Sequence, residues 1–162
     1  MQALLNAISQ MHNTADAHRV FHGRGGMYPH CEHWTLDWFS PVWVLTSFKP
    51  VTDVELAQCQ SALQARWDTL APGETLNWVF QCRAQGHAET RLMSGSVPDV
   101  HVVTEQGARY LVHVLRGQNH GLFLDMANGR EWLKNHSKHE NVLNLFAYTC
   151  AFSVAALQGG AA

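Results

Sequence analysis

Leu4, Leu5, Ile8 and Met11 recur at helical spacing, which predicts a helix over residues 3–12. A short strand-like piece follows at 19–22. Gly23, Gly25, Gly26 and Pro29 then break regular structure over 23–33. Residues 42–48, VWVLTSF, are β-branched and aromatic and read as a buried strand bracketed by Pro41 and Pro50. Thr52 with Glu55 three residues on is a capping-box signature. It opens a helix to about Leu70, with Val54, Leu56, Cys59, Leu63 and Trp67 as the apolar face and Ala71-Pro72-Gly73 as the stop. Strands are expected at 76–83 and 88–93 around Gln85-Gly86-His87. A second hairpin, 100–104 with 109–115, turns at Gln106-Gly107. In it Tyr110, Val112 and Val114 share one face, and Leu111, His113 and Leu115 the other. Up to about residue 117 this is an α+β unit with mainly antiparallel pairing.

The pattern changes at Gly117-Gln118. A short apolar piece, GLFLD, leads into a helix over about Met126–His136. Residues 141–146, NVLNLF, form the short apolar run expected of a central parallel strand. A turn through Tyr148-Thr149-Cys150 leads into a helix carrying Phe152, Val154, Ala155, Ala156 and Leu157, with Gly159-Gly160 as its C-terminal cap. A parallel strand needs strands beside it and helices on both faces. One strand and one helix supply neither, so the expectation is a domain at 1–117 joined to the truncated opening of a second at 118–162. The fold class is α/β overall.

Composition narrows the function classes. Hydrophobic residues make up 46% and charged residues 15% of the 162, against a charged norm of about 25%, which argues against disorder. No apolar run approaches a membrane span of about 18 residues. The start lacks a basic region ahead of an apolar one, so no signal peptide is expected and the cytoplasm is the expected location. A net charge of −2 does not describe a strongly basic nucleic-acid binder, although the 11 histidines can change sign near neutrality. Cys31, Cys59, Cys82 and Cys150 fit no CxxC pattern and read as reduced, mostly buried thiols.

His18, His22, His30, Cys31, Glu32 and His33 are zinc-ligand types. Their spacing matches no established site, and neighbours in an extended chain point to opposite sides. A loop anchored by Arg24 and aromatics is therefore preferred over a metal site. His136 and His139 read as solvated residues near a helix C-terminus rather than a metal pair. Trp34, Trp38, Phe39 and Trp43 could stack on bases, but core packing is the stronger reading. Arg24 is either a phosphate contact or the partner of Asp37.

Three strings carry a family resemblance. GQNHGLFLDMANGREWL (117–133) is similar to a segment that usually reads GQKTGFFLDQRxNR. VLNLFAYTCAFSVAALQGGA (142–161) is similar to VLNLFAYTGGFSVAAxxGGA. FHGRGGMYPHCEHWTLDWFSPVWVLTSFKP (21–50) is similar to the N-terminal region of one branch of the same family. The family is the class I S-adenosylmethionine-dependent methyltransferases of the large-subunit ribosomal RNA type, which include cytosine-5 and guanine-N2 enzymes. The resemblance implies that residues 118–162 begin a Rossmann-like methyltransferase domain with a first strand–helix unit, and that the cofactor is S-adenosylmethionine. It points to Phe123, Asp125 and Arg130 in the first string. In the second it points to Asn144, Phe146, Tyr148 and Cys150, which fall on the acidic and glycine positions of the general motif, with Thr149 in the same turn. The physics agrees, since the crevice at a strand's carboxyl end and the next helix's N-terminus suit an anionic group such as the methionyl carboxylate.

The string departs from its family at Cys150, where glycine is usual. A side chain there either crowds the cofactor or demands a turn with φ below zero. It is also either a reactive thiol or an inert small residue. Asn119-His120 stands for Lys-Thr, and Met126-Ala127 for Gln-Arg. The family's later ribose-binding acid and its Asn/Asp-Pro-Pro motif have no counterpart, and the catalytic residues are unknown. The implied function is the N-terminal portion of a methyltransferase acting on ribosomal RNA bases, inactive alone, with in-line methyl transfer governed by positioning. The alternative is a non-catalytic RNA- or protein-binding or dimerisation module, whose apolar face at 141–158 is buried by self-association or a partner.

Overall fold

The computed structural model describes residues 1–145 and 147–162. Its elements run α1 (Gln2–Gln10), β1 (His18–His22), β2 (Trp34–Phe39), β3 (Val42–Ser47), α2 (Asp53–Leu70), β4 (Trp78–Ala84), β5 (His87–Ser94), β6 (Val102–Glu105), β7 (Ala108–Leu111), α3 (Ala127–His136) and α4 (Ala151–Gln158). Short 3-10 turns occupy Gly23–Gly25 and Leu124–Met126. Among the described residues no helix is long and apolar enough to cross a membrane.

β1 to β5 form one sheet in sequence order. All neighbours are antiparallel except β3 and β4, which run parallel because α2 carries the chain back between them. The sequence pattern missed β2. Its residues, WTLDWF, alternate apolar and polar over Trp34–Trp38, but the whole strand is buried, Thr35 and Asp37 included. Alternation still sorts the side chains. Trp34, Leu36, Trp38, Trp43, Leu45, Trp78 and Phe80 join a core with Leu4, Ile8, Leu56, Leu63 and Trp67 of α1 and α2. Phe39, Val42, Val44 and Val79 face the other way, against Val112, Val114, Leu122 and Leu124. Trp38 and Trp43 are directly opposed across β2 and β3, with ring centroids 4.2 Å apart. The four aromatics with a choice between stacking on bases and core are thus core, each at most 1% exposed.

The capping box of α2 is present in full. Glu55 N donates to Thr52 Oγ1, and Thr52 N donates to a Glu55 carboxylate oxygen. The β6–β7 hairpin turns at Gln106 and Gly107 with φ of 51° and 83°, a primed turn that matches strand twist. β7 ends at Leu111, but Val112 and Val114 stay fully buried, as the alternation predicts.

Residues 141–145 are the exception. The parallel strand expected over 141–146 is not formed among the described residues, and Leu143 and Leu145 are 82% and 68% exposed. Among the described residues no neighbouring strand takes up their backbone groups, and a lone strand has nothing to pair with. The helix after it does form. Its end is a full double-bonded cap, with Ala161 N donating to Ala156 O and Gly160 N to Leu157 O at φ 87° for Gly160.

Candidate functional site

Two segments meet ahead of α4. The first, 119–125, runs beside 111–114 through a bond from His113 N to His120 O. Gly121 has φ 109°, and a Cβ there would lie 2.6 Å from Leu111 O, so only glycine allows this approach. The second comprises residues 144–145 and 147–150. Tyr148 Oη donates to Asn119 O at 2.8 Å, and Thr149 Oγ1 donates to Gly121 O at 2.6 Å. The Phe123 and Tyr148 rings lie 5.0 Å apart, and both are about half exposed. Asn119, Tyr148 and Cys150 all hold positive φ, at 57°, 49° and 60°. Such clustering of left-handed residues is typical of sites where backbone geometry is under functional constraint.

α4 opens at Cys150, and no side chain caps its first amides. Those N–H groups and the dipole favour an anion there. Cys150 itself adopts the left-handed conformation, so the side chain at this glycine position does not force φ below zero. Asn144 Nδ2 donates to Ser153 Oγ, tying the loop to α4.

The remaining candidates are placed apart. Asp125 is exposed, with an oxygen 3.9 Å from Arg19 Nη1. Arg130 is 2% exposed and makes a bidentate pair with Glu105 at 2.5 and 2.6 Å, its guanidinium 5.9 Å from the Phe152 ring. It fastens α3 to β6 rather than joining the exposed group. Phe146 lies outside the described residues. The structure thus brings Tyr148 against Phe123 and Thr149 against Gly121, with Cys150 next in the chain and Asn144 tied to α4.

A polar basin beside this site has no forerunner in the motifs. Arg19 pairs with Asp37, at 2.7 Å from Nε and 3.2 Å from Nη2. This corrects the alternative that Arg24 holds Asp37; Arg24 instead lies 4.1 Å over the Phe48 ring. Burial pushes the Asp37 carboxyl above the usual carboxylate range, against the pull of Arg19. A cavity of about 60 Å³ lies among Arg19, Asp37, Arg83, His120, Phe123 and Asp125. Burial, then the charges of Arg83 and Arg19, push the His120 imidazole down to about 3, so it is neutral. Its Nε2 is 3.0 Å from Gln81 Oε1 and 3.2 Å from Arg83 Nη2. The available signal was polar residues at every second position of apolar strands: Thr35 and Asp37, Thr46, then Gln81 and Arg83.

The histidine-rich loop does not converge. Cys31 is buried in the first core, whereas His30 and Glu32 are exposed. Among the described residues no three His, Cys, Asp or Glu side chains gather as a metal requires. His136 stacks on Trp132 at 4.4 Å and contacts its carbonyl, and His139 takes a turn with φ 65°.

The profile of the S-adenosylmethionine-dependent methyltransferases matches residues 18–162. Over 146 residues the chain is 27% identical to the ribosomal RNA large subunit methyltransferase I of Shigella boydii, covering 90% of this chain and 36% of that protein. It is 35% identical over 72 residues to the same-named protein of Pseudoalteromonas atlantica, covering 44% and 18%. It is 47% identical over 62 residues to the ribosomal RNA large subunit methyltransferase K/L of a Psychrobacter species, covering 38% and 8%. The chain therefore spans little more than a third of the length of these relatives, or less. A solved structure from Streptococcus mutans, assigned as a methyltransferase of this cofactor class, superposes with a TM-score of 0.69 at 24% identity, over 99% of this chain and 43% of that one. Another, complexed with SAH, gives 0.70 at 25% identity over 99% and 42%.

Proposed function

Because the chain belongs to the S-adenosylmethionine-dependent methyltransferase family, we propose that residues 119–125 and 147–150, with Asn144, form one wall of a cofactor site in an enzyme that methylates large-subunit ribosomal RNA. The observation that carries this reading is the pair of bonds from Tyr148 to Asn119 and from Thr149 to Gly121. They join the two segments at the uncapped start of α4. The residues present fit S-adenosylmethionine. The α4 amides suit its carboxylate, and the half-exposed Phe123 and Tyr148 rings offer apolar faces. The cofactor supplies an electrophilic methyl on its sulfonium. The chain's own part is to hold and orient it, with Asn144 and Thr149 fixing the loop.

In this reading residues 118–162 open the cofactor domain and residues 1–117 present the substrate. The acceptor is a cytosine C5 or a guanine N2. A C5 reaction needs a thiolate nucleophile. Cys31, Cys59 and Cys82 are buried, and burial holds the Cys59 thiol up at about 12, so none of these three can supply one.

Titrating SAH into the isotope-labelled chain tests the site. Amide shifts confined to 119–125 and 147–153 are expected, together with heat in a calorimetric titration of S-adenosylmethionine. No shift at millimolar ligand, or shifts elsewhere, would reject the assignment. Leu143, Leu145 and Leu157, all more than 60% exposed, favour a second reading in which this face self-associates. Sedimentation over a concentration series distinguishes the two.

A further inference from the structure

The sheet face opposite α1 and α2 is covered only in part. Phe39, Val44 and Val79 are packed under residues 112–124, whereas Thr35, Thr46, Phe48 and Arg83 line its polar end. Three arginines stand there. Arg19 is matched by Asp37, with Asp125 close behind. Arg24 and Arg83 have no carboxylate within 4.0 Å among the described residues, and both face one ring, with guanidinium carbons 4.1 and 6.0 Å from the Phe48 centroid. Arg83 is half-buried and held by neutral groups only, Gln81 and His120, while its Nε has no partner. Asp37 attracts Arg83 from farther off but is already paired with Arg19; a desolvated guanidinium without a contacting counter-ion is costly, and the like charges of Arg19 and Arg24 add to that cost. An anion placed between Arg24 and Arg83 relieves both effects.

We propose that Arg24, Arg83 and Phe48 form a phosphate clip for a strand of RNA, beside the 119–125 segment. This rests on the RNA-methyltransferase reading above. The adjoining cavity of about 60 Å³ is too small for a base and large enough for an oxyanion or water, so the contact is to backbone and carries no sequence preference. Arg24 is exposed, which leaves the clip open on one side, as a strand passing across the surface requires. Phe48 holds the two guanidinium groups by cation–π attraction, so little side-chain freedom is lost on binding.

The test is fluorescence anisotropy of a labelled, mixed-sequence single-stranded RNA with the full chain over a salt series. Arg24→Ala, Arg83→Gln and Arg83→Lys are compared with Arg109→Ala, an exposed arginine on β7. Circular dichroism checks the fold. Arg24→Ala and Arg83→Gln should each lower the slope of log K against log salt by about 1 and weaken every sequence alike, by roughly threefold to tenfold. Arg83→Lys and Arg109→Ala should keep the wild-type slope. If Arg83→Gln fails to fold, exposed Arg24 still decides. Wild-type slopes in Arg24→Ala overturn the clip. So does inorganic phosphate protecting Arg24 and Arg83 while RNA does not bind, which would identify free phosphate as the ligand. Loss of the SAH shifts with arginine-dependent RNA binding intact overturns the cofactor wall and supports the clip. Retained SAH shifts without RNA binding do the reverse.

Discussion

Cys150 holds a φ of 60° at the head of α4. This conformation costs a non-glycine residue about 1–2 kcal/mol. Glycine relieves it but loses roughly 0.5–1 kcal/mol more chain entropy. Cys150→Gly should therefore stabilise the chain by about 0.5–1 kcal/mol, seen as a rise in melting temperature of roughly 1–4 °C; a fall would show that the thiol makes a compensating contact. His120 makes a second prediction. Its ordinary pKa is 6.5, and in the fold it is about 3. Between those values the unfolded chain binds a proton that the native chain refuses. This part of the stability is complete above pH 6.5 and is lost as pH falls from there towards 3, at up to about 1.4 kcal/mol per unit. Burial lowers His33 and His101 in the same direction. Urea midpoints at about pH 7 and about pH 5 should fall less for His120→Gln than for wild type; equal falls would mean His120 is protonated in the fold.

Local rules govern the helices and hairpins. Thr52→Ala removes the side-chain acceptor of the capping box and should cost about 1 kcal/mol in urea unfolding. α3 and α4 meet at Gly159, where a Cβ would come within 2.1 Å of Lys134 O. Gly159→Ala has to part the two backbones and should cost about 1–3 kcal/mol; an unchanged melting temperature would show that they are not in contact. Capping box, hairpin turn and terminal cap were all legible in the sequence because each is set by three to six consecutive residues. β2 was not. Its alternation of Trp34, Leu36 and Trp38 with Thr35 and Asp37 is only five residues long, and its central place comes from pairing with β1 and β3 while packed side chains cover both of its faces.

For the molecule as a whole, β1 to β5 pair as one sheet, whereas residues 141–145 pair with no strand among the described residues. β2, β3 and β4 have strands on both sides, so their amides should exchange with solvent most slowly. Leu143 and Leu145 have no such neighbours among the described residues and should exchange at close to the free-peptide rate. Protection there that grows with protein concentration would show strand formation by self-association. Two apolar clusters, one on each face of the sheet, account for this contrast. The second includes Ala151 at the start of α4, so the helix is anchored while the segment before it is not.

The family motif, the α/β class and most element boundaries were written in contiguous residues, because spacing, caps and turns act within a few positions of the chain. The family strings nominated Phe123, Asp125, Arg130, Asn144, Phe146, Tyr148, Thr149 and Cys150, and among the described residues the fold sets the Tyr148 ring beside that of Phe123. What the strings could not convey was how Arg130 is held. Its partner Glu105 sits 25 residues earlier, and only the packing of α3 against the β6–β7 hairpin turns a motif arginine into a buried ion pair. The same holds for Arg19 with Asp37 and for Arg24 and Arg83 about Phe48. Charges separated by 18 to 59 positions interact through space, at distances that strand order and register set. No local pattern encodes those distances.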